Sequence, residues 1–132
     1  MKIVLDSNVI VSAFASRGLC ASLFEVLIVR EKIIISEHIL SEVSRILKKK
    51  VKLPEKNINE IIDFLRVTAE IKDYDKMTQC VSRDKDDDEI IALAVSSNSK
   101  IIITGDKDLL VLKKHKNIRI LSPKDFWLLF LS

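Results

Sequence analysis

Ile3-Val4-Leu5-Asp6-Ser7-Asn8 and Ile101-Ile102-Ile103-Thr104-Gly105-Asp106 decide how this chain folds. In each, a short apolar run is followed by an acidic residue, at once at Asp6 and after Thr104-Gly105 at Asp106. A brief, uninterrupted apolar run rich in branched side chains reads as a buried strand. Similar runs cover residues 32–35 and 118–121, with a shorter edge candidate at 68–71. Between them lie stretches with helical spacing. One covers 11–30 and breaks near Ser16-Arg17-Gly18; the others are 37–49, 54–66, 86–97 and a short turn after Ser122-Pro123. Ser36 is a natural N-cap for the second, and Pro54 suits the first turn of the third. Residues 72–77 are polar and read as a loop.

Strands alternating with helices predict an α/β protein, a three-layer α/β/α sandwich on a mostly parallel central sheet. The 132 residues fit a single domain over 1–132, within the usual range of about 100 to 200 residues. Right-handed crossovers put helices on both faces. In such sheets ligands bind beyond the carboxyl ends of the strands. Asp6 and Asp106 are both expected there.

Two further acids join them. Glu42 falls on a helix whose inward positions include Ile39 and Val43, and about 100° of rotation per residue puts it at the border of that apolar stripe. An ordinary surface glutamate fits the same spacing. Asp87, Ile90, Ile91 and Ala94 follow i, i+3, i+4, i+7, so Asp87 is expected on the inward face of its helix. Its neighbours Asp84, Asp86, Asp88 and Glu89 read as first-turn acids that complement the helix dipole. Asn8 and Thr104 offer neutral oxygens beside the acids. Asp108 is either a further ligand or a cap for the next helix, and Gly105 is read as a tight exit from its strand. Carboxylates gathered at one sheet end repel one another and disfavour their charged forms. A divalent cation removes that penalty, and an all-oxygen donor set favours Mg2+ or Mn2+ over zinc.

Composition narrows the alternatives. With 48% hydrophobic and 31% charged residues the chain reads as globular and water-soluble. No apolar run approaches the roughly 18 to 20 residues of a membrane span. Met1-Lys2-Ile3 enters a strand directly, so no signal peptide is expected. Cys20 and Cys80 make no CxxC pair or disulfide framework, which points to a reducing cytoplasm. Two glycines, Gly18 and Gly105, exclude a phosphate-binding P-loop or dinucleotide fingerprint. His38 and His115 have neither zinc-ligand spacing with the cysteines nor a GxSxG serine. The net charge of +3 decides little. Its distribution matters more: Arg45, Lys48, Lys49, Lys50, Lys52 and Lys56 form one basic cluster, and Lys113, Lys114 and Lys116 another. Either can hold a phosphate backbone or simply form solvated element ends.

Four segments in order resemble the PIN-domain family of metal-dependent ribonucleases over nearly the whole chain. They are Ile3-Val4-Leu5-Asp6-Ser7-Asn8-Val9-Ile10, the run from Ser36 to Glu42, Arg83-Asp84-Lys85-Asp86-Asp87-Asp88-Glu89-Ile90-Ile91-Ala92-Leu93-Ala94, and Ile103-Thr104-Gly105-Asp106-Lys107-Asp108. Within the family, the chain looks most like small prokaryotic PIN toxins of toxin–antitoxin pairs. The resemblance implies Asp6, Glu42, Asp87 and Asp106 as catalytic acids holding Mg2+ or Mn2+, with Asn8, Thr104 and Asp108 in support. It further implies an RNA substrate cut endonucleolytically, a cognate antitoxin as partner and frequent homodimers; from the short apolar runs, no membrane is expected as a partner. The apolar C-terminal residues 126–131 read as a closing helix or part of a self-association surface.

Rival readings differ in their chemistry. An aspartyl-nucleophile phosphatase wants a second aspartate where Asn8 stands. A phospho-accepting receiver wants a lysine before the last proline, and here the order is Ser122-Pro123-Lys124. The non-enzymatic alternative is a PIN-fold module that binds RNA or protein without cutting.

Overall fold

The computed structural model describes residues 1–74 and 85–131; the side chains of Lys85, Asp86 and Asp87 lie outside that description. Strand β1 (Lys2–Leu5) leads into helices α1 (Ser7–Ala15) and α2 (Leu19–Arg30), then strand β2 (Lys32–Ile35). Helix α3 (Glu37–Ile46) ends in a π-helical turn, Leu47–Val51, and α4 (Glu55–Thr68) leads to the short strand β3 (Glu70–Ile71). Helix α5 (Lys85–Ser96) precedes β4 (Ile101–Ile103) and the one-turn α6 (Lys107–Leu110). A hairpin of β5 (Lys114–His115) and β6 (Ile118–Leu121) follows, then α7 (Pro123–Phe126) and a closing π-helical turn, Trp127–Leu131.

The six strands form one sheet in the order β3-β2-β1-β4-β6-β5. All pairs are parallel except β5–β6. The chain steps outward from β1 through β2 to β3, then crosses back to continue from β4 on β1's other side. Successive right-handed crossovers in opposite directions put helices on opposite faces, which makes the three-layer sandwich. The reversal falls between β1 and β4. Their register pairs Leu5 with Ile103, so Asp6 and Thr104 leave the sheet side by side. The Asp6 backbone N–H donates to the Ile103 carbonyl at 3.0 Å, which extends the ladder to the first residue of the crevice.

The strands are apolar because both faces are covered. Ile3, Val4, Ile34, Ile35, Ile102 and Ile103 have no exposed surface, and the buried apolar residues of the sheet and helices form one cluster. Helix α3 begins at a working N-cap: the Ser36 hydroxyl accepts the Ile39 N–H at 3.1 Å. It is tied to α4 by a two-pronged ion pair from Arg66 to Glu37, at 2.6 and 3.0 Å. Phe14, Phe24 and Phe64 join α1, α2 and α4 through ring contacts at 5.3 to 6.4 Å.

Several local expectations change. Helix α1 begins at Ser7 and not at 11, and Thr68 ends α4, so the edge strand is only Glu70–Ile71. Pro54 occupies the N-cap of α4 instead of its first turn. Strand β5 was not expected. Gly105 needs no glycine conformation: no glycine has positive φ, and an added Cβ there meets nothing within 4 Å.

Truncating Ile102 to alanine in the central strand removes fully buried volume. It is expected to destabilise the protein by roughly 2–5 kcal/mol, read as a lower urea midpoint with an unchanged m-value. The Arg66 guanidinium hydrogen-bonded to Glu37 lowers that carboxyl's pKa. A lowered folded pKa means the pair's contribution is present above the ordinary carboxylate range and is lost as pH falls through the folded value. The pair is exposed, so a small stability gap between wild type and Glu37→Gln is expected at neutral pH. It closes on acidification, as pH-dependent unfolding curves would show.

Candidate functional site

Asp6 has the extended backbone of an N-cap at the start of α1, yet its side chain makes no cap hydrogen bond. Instead the Thr104 hydroxyl donates to Asp6 Oδ2 at 2.5 Å, in the range of a short, charge-assisted bond. Asp6 is 6% exposed and Thr104 is fully buried. A carboxylate so enclosed is costly without partners, and Thr104 supplies one from the neighbouring strand end.

The same hydroxyl also accepts the Asp106 backbone N–H at 3.0 Å. Thr104 thus fixes the start of the second acidic turn as well as the first acid. Asp106 is half-buried and is the N-cap of α6, accepting the Asp108 N–H on Oδ1 at 2.8 Å. Asp106 is therefore the cap, and Asp108 is a first-turn acid, half-buried behind it. Asp106 Oδ2 is the carboxylate oxygen not committed to the cap.

The third element comes from α3. Ser7, next to Asp6 and itself buried, donates through its hydroxyl to Glu42 Oε1 at 2.9 Å. This links Glu42 to the end of β1. On the next turn back, His38 Nε2 lies 3.5 Å from Glu42 Oε1 and 2.7 Å from Glu89 Oε2 on α5. Each contact is an ion pair when the imidazole is protonated. One ring nitrogen thus stands between carboxylates of two helices, at the crevice that Asp6 enters. Asn8 is exposed on the first turn of α1.

Asp87 belongs by backbone to α5, but its side chain lies outside the described residues. Its neighbour Asp88 is only 9% exposed. The periodicity argument for a single inward acid weakens here, because every residue from Ile90 to Ala94 is buried and α5 has no open face along that stretch. Sequence reasoning also missed His38. It has neither zinc-ligand spacing nor a GxSxG serine, whereas its i, i+4 relation to Glu42 was the available signal.

The structure therefore brings Asp6, Thr104, Asp106 and Asp108 into one hydrogen-bonded chain. Ser7, Glu42, His38 and Glu89 form a second group, joined by the Ser7–Glu42 hydrogen bond and by the ion-pair distances of His38 to the two glutamates. The adjacent residues Asp6 and Ser7 join the two. Among the described residues no three His, Cys, Asp or Glu side chains form a complete metal-binding group, a set from which Asp87 is missing. The donors of the first chain are all oxygens, one of them on a buried carboxylate. That chemistry fits a hard divalent cation.

Comparison with known proteins bears on this crevice. The family model described as PIN domain matches residues 2–108. An uncharacterized protein of Methanocaldococcus jannaschii is 32% identical over 142 residues, covering 96% of this chain and 89% of its own length. Among solved structures, VapBC2 from Rickettsia felis, crystallised bound to a DNA fragment from their promoter, superposes with a TM-score of 0.66. That match covers 92% of this chain and 98% of the other at 19% identity, and so shows the fold.

Replacing Thr104 with valine keeps the volume but leaves Asp6 Oδ2 and the Asp106 N–H without this partner. The expected cost is about 1–3 kcal/mol, measured by urea denaturation of the metal-free protein. Serine at the same position is expected to recover most of it.

Proposed function

Because this chain belongs to the PIN-domain family, we propose that it is a metal-dependent endoribonuclease, one domain over 1–132, acting as the toxin of a toxin–antitoxin pair. The observation that carries the reading is the buried Asp6 carboxylate, hydrogen-bonded to Thr104 and set beside Asp106 at the reversal point of the sheet.

In this reading Asp6 and Asp106 hold Mg2+ or Mn2+, and Glu42 and Asp87 complete the surroundings of the ion through water. When bound, such an ion polarises a phosphodiester and offsets charge that builds on it. The chain's own residues prepare that event. Thr104 pins Asp6 through Oδ2 at the end of β1. The α6 cap holds Asp106 by Oδ1 and leaves Oδ2 for the ion. Ser7 orients Glu42, which can accept a proton from a water aligned for in-line attack. Asn8, exposed at the first turn of α1, can donate to a phosphate or to that water. Groups fixed before substrate arrives need no reorganisation during reaction, which is the usual source of the largest catalytic gain.

An antitoxin partner and a homodimer belong to the same proposal. Support comes from the family resemblance, from the fold shared with VapBC2, and from exposed apolar side chains at Leu128 and Leu129. No helix among the described residues is long and apolar enough to cross a membrane by itself. The cytoplasm, rich in RNA and reducing toward thiols such as Cys20, is the compartment this reading calls for.

The test is direct. Purified protein is expected to cut single-stranded RNA with manganese present and to stop when a chelator is added. Asp6→Asn is expected to lose about 10³-fold or more in rate, as when a principal electrostatic group is removed. Metal-free Asp6→Asn should melt no lower than wild type, since the change removes a buried charge. Wild-type cleavage by the variant would refute the assignment. Binding of RNA with no cutting under any divalent ion would favour the non-cleaving module.

A further inference from the structure

The two basic clusters noted in the sequence lie on opposite sides of the sheet's reversal point, with Lys114 and Arg119 level with Ile101. Lys48, Lys49, Lys50 and Lys52 follow α3, which starts at the carboxyl edge of the sheet and runs 10 residues away from it, about 15 Å. Lys113 and Lys114 instead belong to the β5–β6 hairpin, on the same side of the sheet's reversal point as β4 and Asp106. With Arg119 they line a groove of about 560 Å³ that reaches Leu121 and Ser122 at the carboxyl end of β6. The Thr104 backbone N–H donates to the Leu121 carbonyl, so the groove opens next to the acidic crevice. Two strand spacings, about 10 Å, separate β4 from β5.

Three features of the hairpin make little sense for stability alone. Lys114 and Arg119 are directly opposite each other across the antiparallel pair, and like charges so placed repel. Among the described residues, neither they nor Lys113 forms an ion pair with a carboxylate, although Asp125 also lines the groove. Lys113 and Lys116 adopt left-handed backbone, with φ of 58° and 54°, where glycine or asparagine is the cheaper choice. Basic side chains are thus kept at positions where both backbone and charge favour their removal. A polyanion laid along the groove reverses the charge cost.

We propose that this groove binds the phosphate backbone of single-stranded RNA flanking the cleavage position, with Lys113, Lys114 and Arg119 as the phosphate contacts. The inference rests on the ribonuclease reading above and adds to it the path the substrate takes. Arg119 is placed in advance, its guanidinium 5.8 Å from the centre of the Phe130 ring. Phe130 in turn stacks on Phe126 at 4.8 Å and remains partly exposed. A basic groove beside an exposed aromatic ring is the arrangement that suits single strands. The groove leads substrate from the sheet edge toward Asp106 and the crevice.

The experiment measures binding of a fluorescein-labelled oligouridylate to the full chain in chelator, where no cutting occurs, over a range of salt concentrations. Lys113→Gln/Lys114→Gln/Arg119→Gln is compared with Lys48→Gln/Lys49→Gln/Lys50→Gln. Each phosphate contact contributes about 0.7 to the slope of log affinity against log salt for a single strand. The hairpin variant is expected to lose about 2 from that slope and roughly tenfold or more in affinity at low salt; the α3-end variant should keep the wild-type slope. Thermal melts establish that both are folded. Should the triple variant fail to fold, Arg119→Gln is read alone, with an expected loss of about 0.7. An unchanged slope in a folded hairpin variant, or an equal loss from the α3-end variant, overturns the proposal. A wild type that cuts RNA with manganese but shows that unchanged slope overturns the groove and spares the nuclease. Salt-sensitive binding through the groove without any cutting overturns the nuclease and spares the groove.

Discussion

The hydrogen bond from Thr104 to Asp6 joins residues 98 positions apart in the chain and holds the crevice together. It exists because β1 and β4 pair in parallel with Leu5 opposite Ile103. A shift of one residue in that register would turn one of the two side chains toward the opposite face. The register is in turn enforced by the apolar runs, since every residue of Ile101–Ile103 is buried and none could face water without loss. Packing of a hydrophobic sheet thus determines the position of a polar contact at its rim. Thr104 is well suited to the place: its methyl group tolerates full burial, while its hydroxyl both donates to Asp6 and accepts from Asp106.

The α3 side of the crevice is held by different means. Its position depends on the Ser36 cap, the Arg66–Glu37 pair and the apolar face of Ile39, Leu40 and Val43. Glu42 and His38 follow from that placement, one turn apart on the same face. Because Ser7 belongs to the first turn of α1 and touches Glu42, the two halves of the site meet across consecutive residues of one tight strand-to-helix junction. Little backbone freedom remains there: the Asp6 carbonyl accepts from both Val9 and Ile10.

What could be read from the chain follows the same division. Uninterrupted branched runs such as Ile33-Ile34-Ile35 admit few structures, so the strands and their parallel pairing were legible, and so was the location of Asp6 and Asp106 past two strand ends. Lys114 and His115 were not legible as a strand, because two polar residues carry no period and their pairing depends entirely on β6. Glycine at 105 invited a conformational explanation that the backbone does not use. In α5 a helical stripe was used to choose among consecutive aspartates. That method presupposes an exposed face to contrast with the buried one, and Ile90 through Ala94 offer none. His38 shows a different limit: its chemistry comes from Glu89 on another helix as well as from Glu42 on its own, and only the second is visible in local spacing.

The distribution of charge ties the two proposed sites together. Acidic groups converge where β1, β4 and α3 meet, and basic groups are held on the β5–β6 hairpin, yet they do not neutralise each other. Up to two strand spacings across the sheet and, because Arg119 is level with Ile101, several residues along it separate them, more than a Debye length at physiological salt, and surface charges that far apart interact weakly in water. The hairpin therefore keeps its own repulsion, with Lys114 facing Arg119. A protein selected for stability alone could relieve it by substitution. A single ligand serves both sites when it carries negative phosphates at the spacing of a nucleic-acid strand together with a divalent counterion. On this argument the nucleotide at the crevice and its neighbours on the hairpin are parts of one binding event, and the energy gained along the groove is available to hold the reacting phosphate in the geometry that the crevice requires.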